Sequence, residues 1–153
     1  MTLVYGGVAA LWCGALDDAE RWCGEALTKD AGTPTLAALA AAALARCRVA
    51  LGRGGEAREL AARAVAVLEG ESVEEGESYI GLAEVEVLEA VGDHDGAVAA
   101  LRRALARLEL YVAQIADPSL RRSFLERVLE NRALLDRARE WGVPAPSAEP
   151  PSG

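Results

Sequence analysis

The chain's single histidine, His94, stands between Asp93 and Asp95 in the stretch VGDHDGAVAALRRAL. Asp-His-Asp is a residue set that could ligate a metal or run acid–base chemistry. A metal site needs three or four ligands converging from positions the fold holds rigid. Three neighbours on one short turn cannot all face one ion, and there is no second histidine to help. An aspartate in a turn does something simpler: it accepts the free N–H groups at the start of the next helix. The triplet therefore reads as a turn.

A second candidate is GRGGE at Gly52–Glu56, which has the glycines of a phosphate loop. It lacks the Lys-Ser or Lys-Thr that would hold phosphate and magnesium, and it precedes no strand. GxSxG, HExxH and the kinase glycine-loop and HRD set are absent, and no serine is placed to use the one histidine. Cys13, Cys23 and Cys47 make an odd set without CxxC spacing, which favours buried, reduced thiols over a disulfide scaffold or zinc knuckle. The residues point away from an enzyme, a bound metal and a cofactor.

The bulk of the chain agrees. Its 153 residues are enough for one domain with a real core, and they are 52% hydrophobic with only 5% aromatics. Alanine and leucine dominate while β-branched runs are missing, so the fold expected is all-α. A net charge of −8 excludes nucleic acid as a partner, because phosphate binding needs clustered basic residues. The opening MTLVYGGVAALWCGAL carries no charge, lacks the basic start of a secretory signal and is too short to span a bilayer. A buried helix in a cytoplasmic protein without membrane contact is the reading that follows.

What must position these residues is a repeat. Gly14 precedes Ala19 by five residues, Gly52 precedes Ala57, and Gly92 precedes Ala97. Each alanine is followed seven residues on by another, Ala26, Ala64 and Ala104, and then by Leu27, Val65 and Leu105. Seven residues before the three glycines stand Gly7, Ala45 and Val85. A glycine just past a helix end tolerates the left-handed conformation that terminates it. A short polar turn then starts an antiparallel helix, with small residues where the two approach. Such hairpins bury their apolar faces only by stacking.

Helices are expected near 2–13, 17–29, 34–51, 55–69, 73–91, 95–115 and 118–141. Thr33-Pro34 and Asp117-Pro118 each place a capping residue before a proline at the first helical position. Leu120, Phe124 and Val128 form a stripe along the seventh helix, which would cover the open face of the last hairpin. Hairpins are thus expected over 1–115 and a capping helix over 116–142. The four-proline stretch VPAPSAEPPSG, 143–153, is expected to be a disordered tail.

The small residues of the three units, Gly7, Ala19 and Ala26, then Ala45, Ala57 and Ala64, then Val85, Ala97 and Ala104, resemble the signature of the tetratricopeptide repeat. Val85 departs from it by its size, and Cys23, Ala61 and Leu101 replace its usual aromatic. The segment DPSLRRSFLERVLENRALLDRAREWG, residues 117–142, resembles the closing helix of such arrays in large bacterial serine/threonine kinases and ATPase-type regulators. The resemblance implies a right-handed solenoid of helical hairpins and a non-catalytic, protein-binding scaffold of the signalling kind.

It also implies a concave groove lined by the inner face of each first helix. Carried onto this sequence, the groove is Met1, Val4, Val8, Leu11 and Trp12; Leu39, Ala42, Arg46, Val49 and Ala50; Tyr79, Leu82, Glu86, Glu89 and Ala90. It would run from apolar at the first repeat to acidic at the third. With Arg46 its one basic residue, a clamp for a terminal carboxylate is not expected; an extended or helical segment carrying apolar and basic residues fits better. Charge adds to this: ten carboxylates and no Lys or Arg lie between Arg63 and Arg102, whereas arginines gather on the seventh helix. Both stretches read as solvated faces, with acidic steering of a basic partner as the functional alternative. The other alternative is structural, a self-association module docking through the apolar segment Met1–Trp12.

Overall fold

The computed structural model describes residues 3–29, 32–70 and 76–149. Among these residues the structure is all helical: α1 (Leu3–Trp12), α2 (Leu16–Lys29), α3 (Pro34–Ala50), α4 (Gly54–Gly70), α5 (Glu77–Ala90), α6 (His94–Gln114), α7 (Pro118–Arg127) and α8 (Leu129–Trp141). Helices α1–α2, α3–α4 and α5–α6 pair in sequence order, and α3 and α5 each pack on both helices of the preceding pair. Met1 and residues 73–75, expected to be groove and helix, lie outside the described residues, as do 150–153 of the tail.

The three repeated glycines make the three sharp turns. Gly14, Gly52 and Gly92 have φ of +77°, +74° and +80°, a region that costs any residue with a Cβ. In the last of them the Gly92 N–H donates to the Glu89 carbonyl at 3.1 Å and the Asp93 N–H to the Leu88 carbonyl at 2.9 Å. The same pair of bonds closes α1 and α3, so at each helix end two of the free carbonyls are satisfied before the chain reverses.

Alanines let the pairs approach. Ala19, Ala26, Ala45, Ala57, Ala64, Ala97 and Ala104 are all buried. A Cβ on Gly7 would collide with the Cys23 Sγ, so in the first pair only glycine fits. In the third pair the bulkier Val85 is accommodated because Gly81, one turn earlier, takes the close approach: a Cβ there would lie 2.9 Å from that of Ala104. Helix α3, PTLAALAAAALARCRVA, is buried along nearly its whole middle because α1, α2, α4 and α5 all pack on it. Alanine supplies both the helix propensity and the small radius this central position requires.

The expected seventh helix is two helices. Val128 is extended (φ −75°, ψ 118°) and serves as the end of α7 and the start of α8. The reason lies in the register of the apolar residues. Leu125 and Leu134 are both buried, yet nine residues place them on opposite sides of a straight helix, given about 3.6 residues per turn. The break brings both inward; of the stripe expected from Leu120, Phe124 and Val128, Phe124 packs against this core, while Leu120 is 59% exposed. The Phe124 carbonyl released by the break accepts from Asn131 Nδ2 at 3.0 Å. Helix α8 then packs on α5 and α6, the relation α3 and α5 bear to the pairs before them.

Capping follows the sequence at one proline and not at the other. Asp117 caps α7, accepting from Ser119 N at 2.7 Å and Leu120 N at 3.3 Å, and these bonds, with that from the Ser119 hydroxyl, hold its carboxyl below the usual range. Thr33 stands in the capping position before Pro34, but its side chain makes no capping bond. The tail does not leave the fold at residue 143. Gly142 (φ +65°) ends α8, the Val143 N–H donates to the Ala138 carbonyl at 2.8 Å, and the Val143 side chain is buried.

Candidate partner-binding cleft

The Asp93–Asp95 turn is resolved first by its bonds. Asp93 is the N-cap of α6, its Oδ1 accepting from the Gly96 N–H at 3.0 Å, and Arg58 of α4 reaches its other oxygen at 3.3 Å. His94 opens α6 and packs edge-on against Trp141 of α8, ring centroids 5.2 Å apart. Among the described residues no group of three or more His, Cys, Asp or Glu side chains could hold a metal ion. Cys23 and Cys47 are buried and free, and burial pushes the Cys23 thiol up to about 12, helped by Cys47. Cys13 is free and exposed, against the expectation that all the thiols are interior.

The residues that the repeat resemblance assigned to a groove divide in two. Val4, Leu39, Ala42, Tyr79 and Leu82 are buried between helices and do not line the cleft that the other positions form. Leu11, Trp12, Arg46, Val49, Ala50, Glu86, Glu89 and Ala90 converge, from α1, α3 and α5, on one cleft of about 470 Å³. Val8 is half-buried on α1 and is not among the residues lining this cleft. Each first helix contributes its last two turns, since residues three and four apart share a face.

One residue in the cleft was not visible in the repeat pattern. Arg137 of α8 closes its far wall, with Nε 3.3 Å from Glu89 Oε2 and Nη2 3.6 Å from Glu86 Oε1. Its signal was present only as an arginine on a C-terminal helix; nothing local says that α8 lies beside α5. Glu86 is also bound by Arg46, Nε to Oε2 at 2.7 Å and Nη2 to Oε1 at 3.3 Å. The Arg46 guanidinium lies between two aromatic faces, 5.0 Å from the centroid of Trp12 and 4.9 Å from that of Tyr79. Burial alone would depress its pKa, but Glu86 and Tyr79 outweigh that and raise it, so the charge is held. Burial likewise pushes the Tyr79 phenol up to about 12 against the pull of Arg46.

The cleft is therefore balanced, two guanidiniums facing two carboxylates, and not acidic. The acidic stretch is similarly engaged elsewhere: Glu84 meets Arg103 at 3.0 Å and Asp93 meets Arg58. What the cleft offers to solvent is the Trp12 indole, 44% exposed, and the Glu89 carboxylate, 47% exposed. No helix among the described residues is long and apolar enough to cross a membrane. No family model, curated protein or solved structure matches the chain.

Proposed function

We propose that this chain is a non-catalytic protein-interaction module, built as a right-handed stack of tetratricopeptide-like hairpins. It would take a partner segment in the cleft between α1, α3, α5 and α8. The observation that carries this reading is the convergence of equivalent positions from three successive hairpins on one open cleft with an exposed tryptophan at its rim. Tryptophan in such a place is the residue type that most often anchors a protein interface. The partner's apolar side chain would pack on Trp12, Leu11 and Val49, and a basic side chain would meet Glu89. Glu86 is already held by two arginines and is a wall, not a contact. The resemblance of residues 117–142 to the closing helix of bacterial kinase and ATPase-type regulators suggests a cytoplasmic signalling setting.

Selection from a displayed peptide library tests the reading. Selected peptides should lose about thirtyfold in affinity on Trp12→Ala, corresponding to roughly 2 kcal/mol. They should weaken also on Glu89→Lys, and be indifferent to Glu126→Lys on α7. Peptides that bind all these variants equally would remove the cleft from consideration. A second reading rests on α1 itself, whose Tyr5 and Trp12 are both exposed on a helix without a charged side chain. It predicts a concentration-dependent dimer in sedimentation, abolished by Tyr5→Glu, with no peptide selected.

A further inference from the structure

A second cavity of about 260 Å³ opens between the start of α5, α6 and the break at Val128. Tyr79 on its wall is also the ring on which Arg46 of the cleft stacks, so the two places meet at that residue. Three aromatic residues, Tyr79, Tyr111 and Phe124, share the wall with Glu77, Glu130 and Asn131, and no Arg, Lys or His is among the described residues lining it.

Asn131 is the informative member. It is 1% exposed, and its Nδ2 donates to the Phe124 carbonyl, which fixes the carboxamide. Its Oδ1 is buried with no hydrogen-bond partner. A buried acceptor left bare is rare and calls for a donor. A single water would satisfy it, but the cavity is several times the roughly 30 Å³ share of one water. Aromatic faces attract cations, carboxylates add to the attraction, and Arg46, the cation already on Tyr79, is neutralised by Glu86.

We infer that this cavity binds an alkylammonium headgroup carrying at least one N–H. The N–H would donate to Asn131 Oδ1, the alkyl groups would lie against the rings, and Glu77 and Glu130 would balance the charge. The same chemistry comes from a small free amine or from a lysine side chain, and two probes separate these sources.

Ring-proton NMR of the full chain, titrated with trimethylammonium chloride, should show saturable shifts of Tyr79, Tyr111 and Phe124. Neutral tert-butanol, of similar shape, should bind about tenfold more weakly, and tetramethylammonium, which has no N–H, should also be weaker. Glu130→Gln should weaken trimethylammonium several-fold while leaving the melting temperature unchanged. A dimethyl-lysine amide that binds more tightly than trimethylammonium assigns the site to a side chain; the reverse assigns it to a free amine. No saturable shift, equal binding of tert-butanol, or indifference to Glu130→Gln would overturn the inference and leave a hydrated apolar cavity.

Discussion

Replacing Glu86 with leucine should cost far more than replacing Arg46 with methionine, although the two residues form one ion pair. The side chains are 11% and 19% exposed for Arg46 and Glu86, so neither charge is well hydrated. Removing one member of a buried pair costs about 3–5 kcal/mol, because the other is left uncompensated. Some solvent reaches this cleft, so the lower end applies: Glu86→Leu should cost about 3 kcal/mol. It strands Arg46 and also takes a partner from Arg137. Arg46→Met leaves Glu86 with Arg137 at 3.6 Å, and should cost only about 1–2 kcal/mol. With both replaced, no charge is stranded in the pair, and stability should return to within about 1 kcal/mol of the parent. Urea unfolding followed by circular dichroism measures all four proteins, and unchanged m-values would show that the unfolded states are comparable. For a domain of this size the Glu86→Leu loss is about 6–12 °C in Tm. Losses that simply add in the double variant, or equal losses in the two single variants, would refute the geometry argued for Arg46, Glu86 and Arg137.

Three further outcomes follow from the packing. Leu134→Ala, at a fully buried position on α8, should cost about 2–5 kcal/mol in the same assay; a loss well under 1 kcal/mol would mean α8 is not docked on α5 and α6. Gly92→Ala, at φ +80°, should destabilise by about 1–2 kcal/mol, whereas Gly24→Ala, in the middle of α2 with open space around it, should stabilise by about 0.5–1 kcal/mol. In the native protein a thiol reagent should modify Cys13 alone, with Cys23 and Cys47 reacting only after denaturation. The Cys23 thiol stays protonated in the fold to about pH 12 but ionises near 9 once unfolded. The unfolded state then binds fewer protons, so stability should fall as pH rises between those values, and Cys23→Ala should flatten that fall in urea midpoints.

The helical class, the three turns and the pairing of neighbours were legible because each rests on local physics. Glycine in a left-handed turn and alanine where two backbones meet are requirements of a single residue and its near neighbours, and Gly14, Gly52 and Gly92 show them at the expected positions. The same is true of Asp93 and Asp117, whose caps form within three residues of sequence. Gly142 carries the same signal, and the bond from the Val143 N–H to the Ala138 carbonyl that seals the end of α8 is equally local.

Other features could be decided only in three dimensions. Val128 breaks a segment of good helical pattern because Leu125 and Leu134 must reach one core from opposite sides, a demand set by the surface α5 and α6 present and not by any local propensity. The groove positions illustrate the same division. Periodicity selects the face on which Leu39, Arg46 and Tyr79 lie, but how deeply the next helix covers that face depends on long-range packing; Leu39 and Tyr79 ended inside. Charge was the least legible of all. Glu86 and Glu89 read as an exposed acidic face, and became a neutral cleft when Arg137, about fifty residues away in the chain, was folded against them. Ion pairs form between whatever surfaces tertiary packing juxtaposes, and sequence distance holds no record of that.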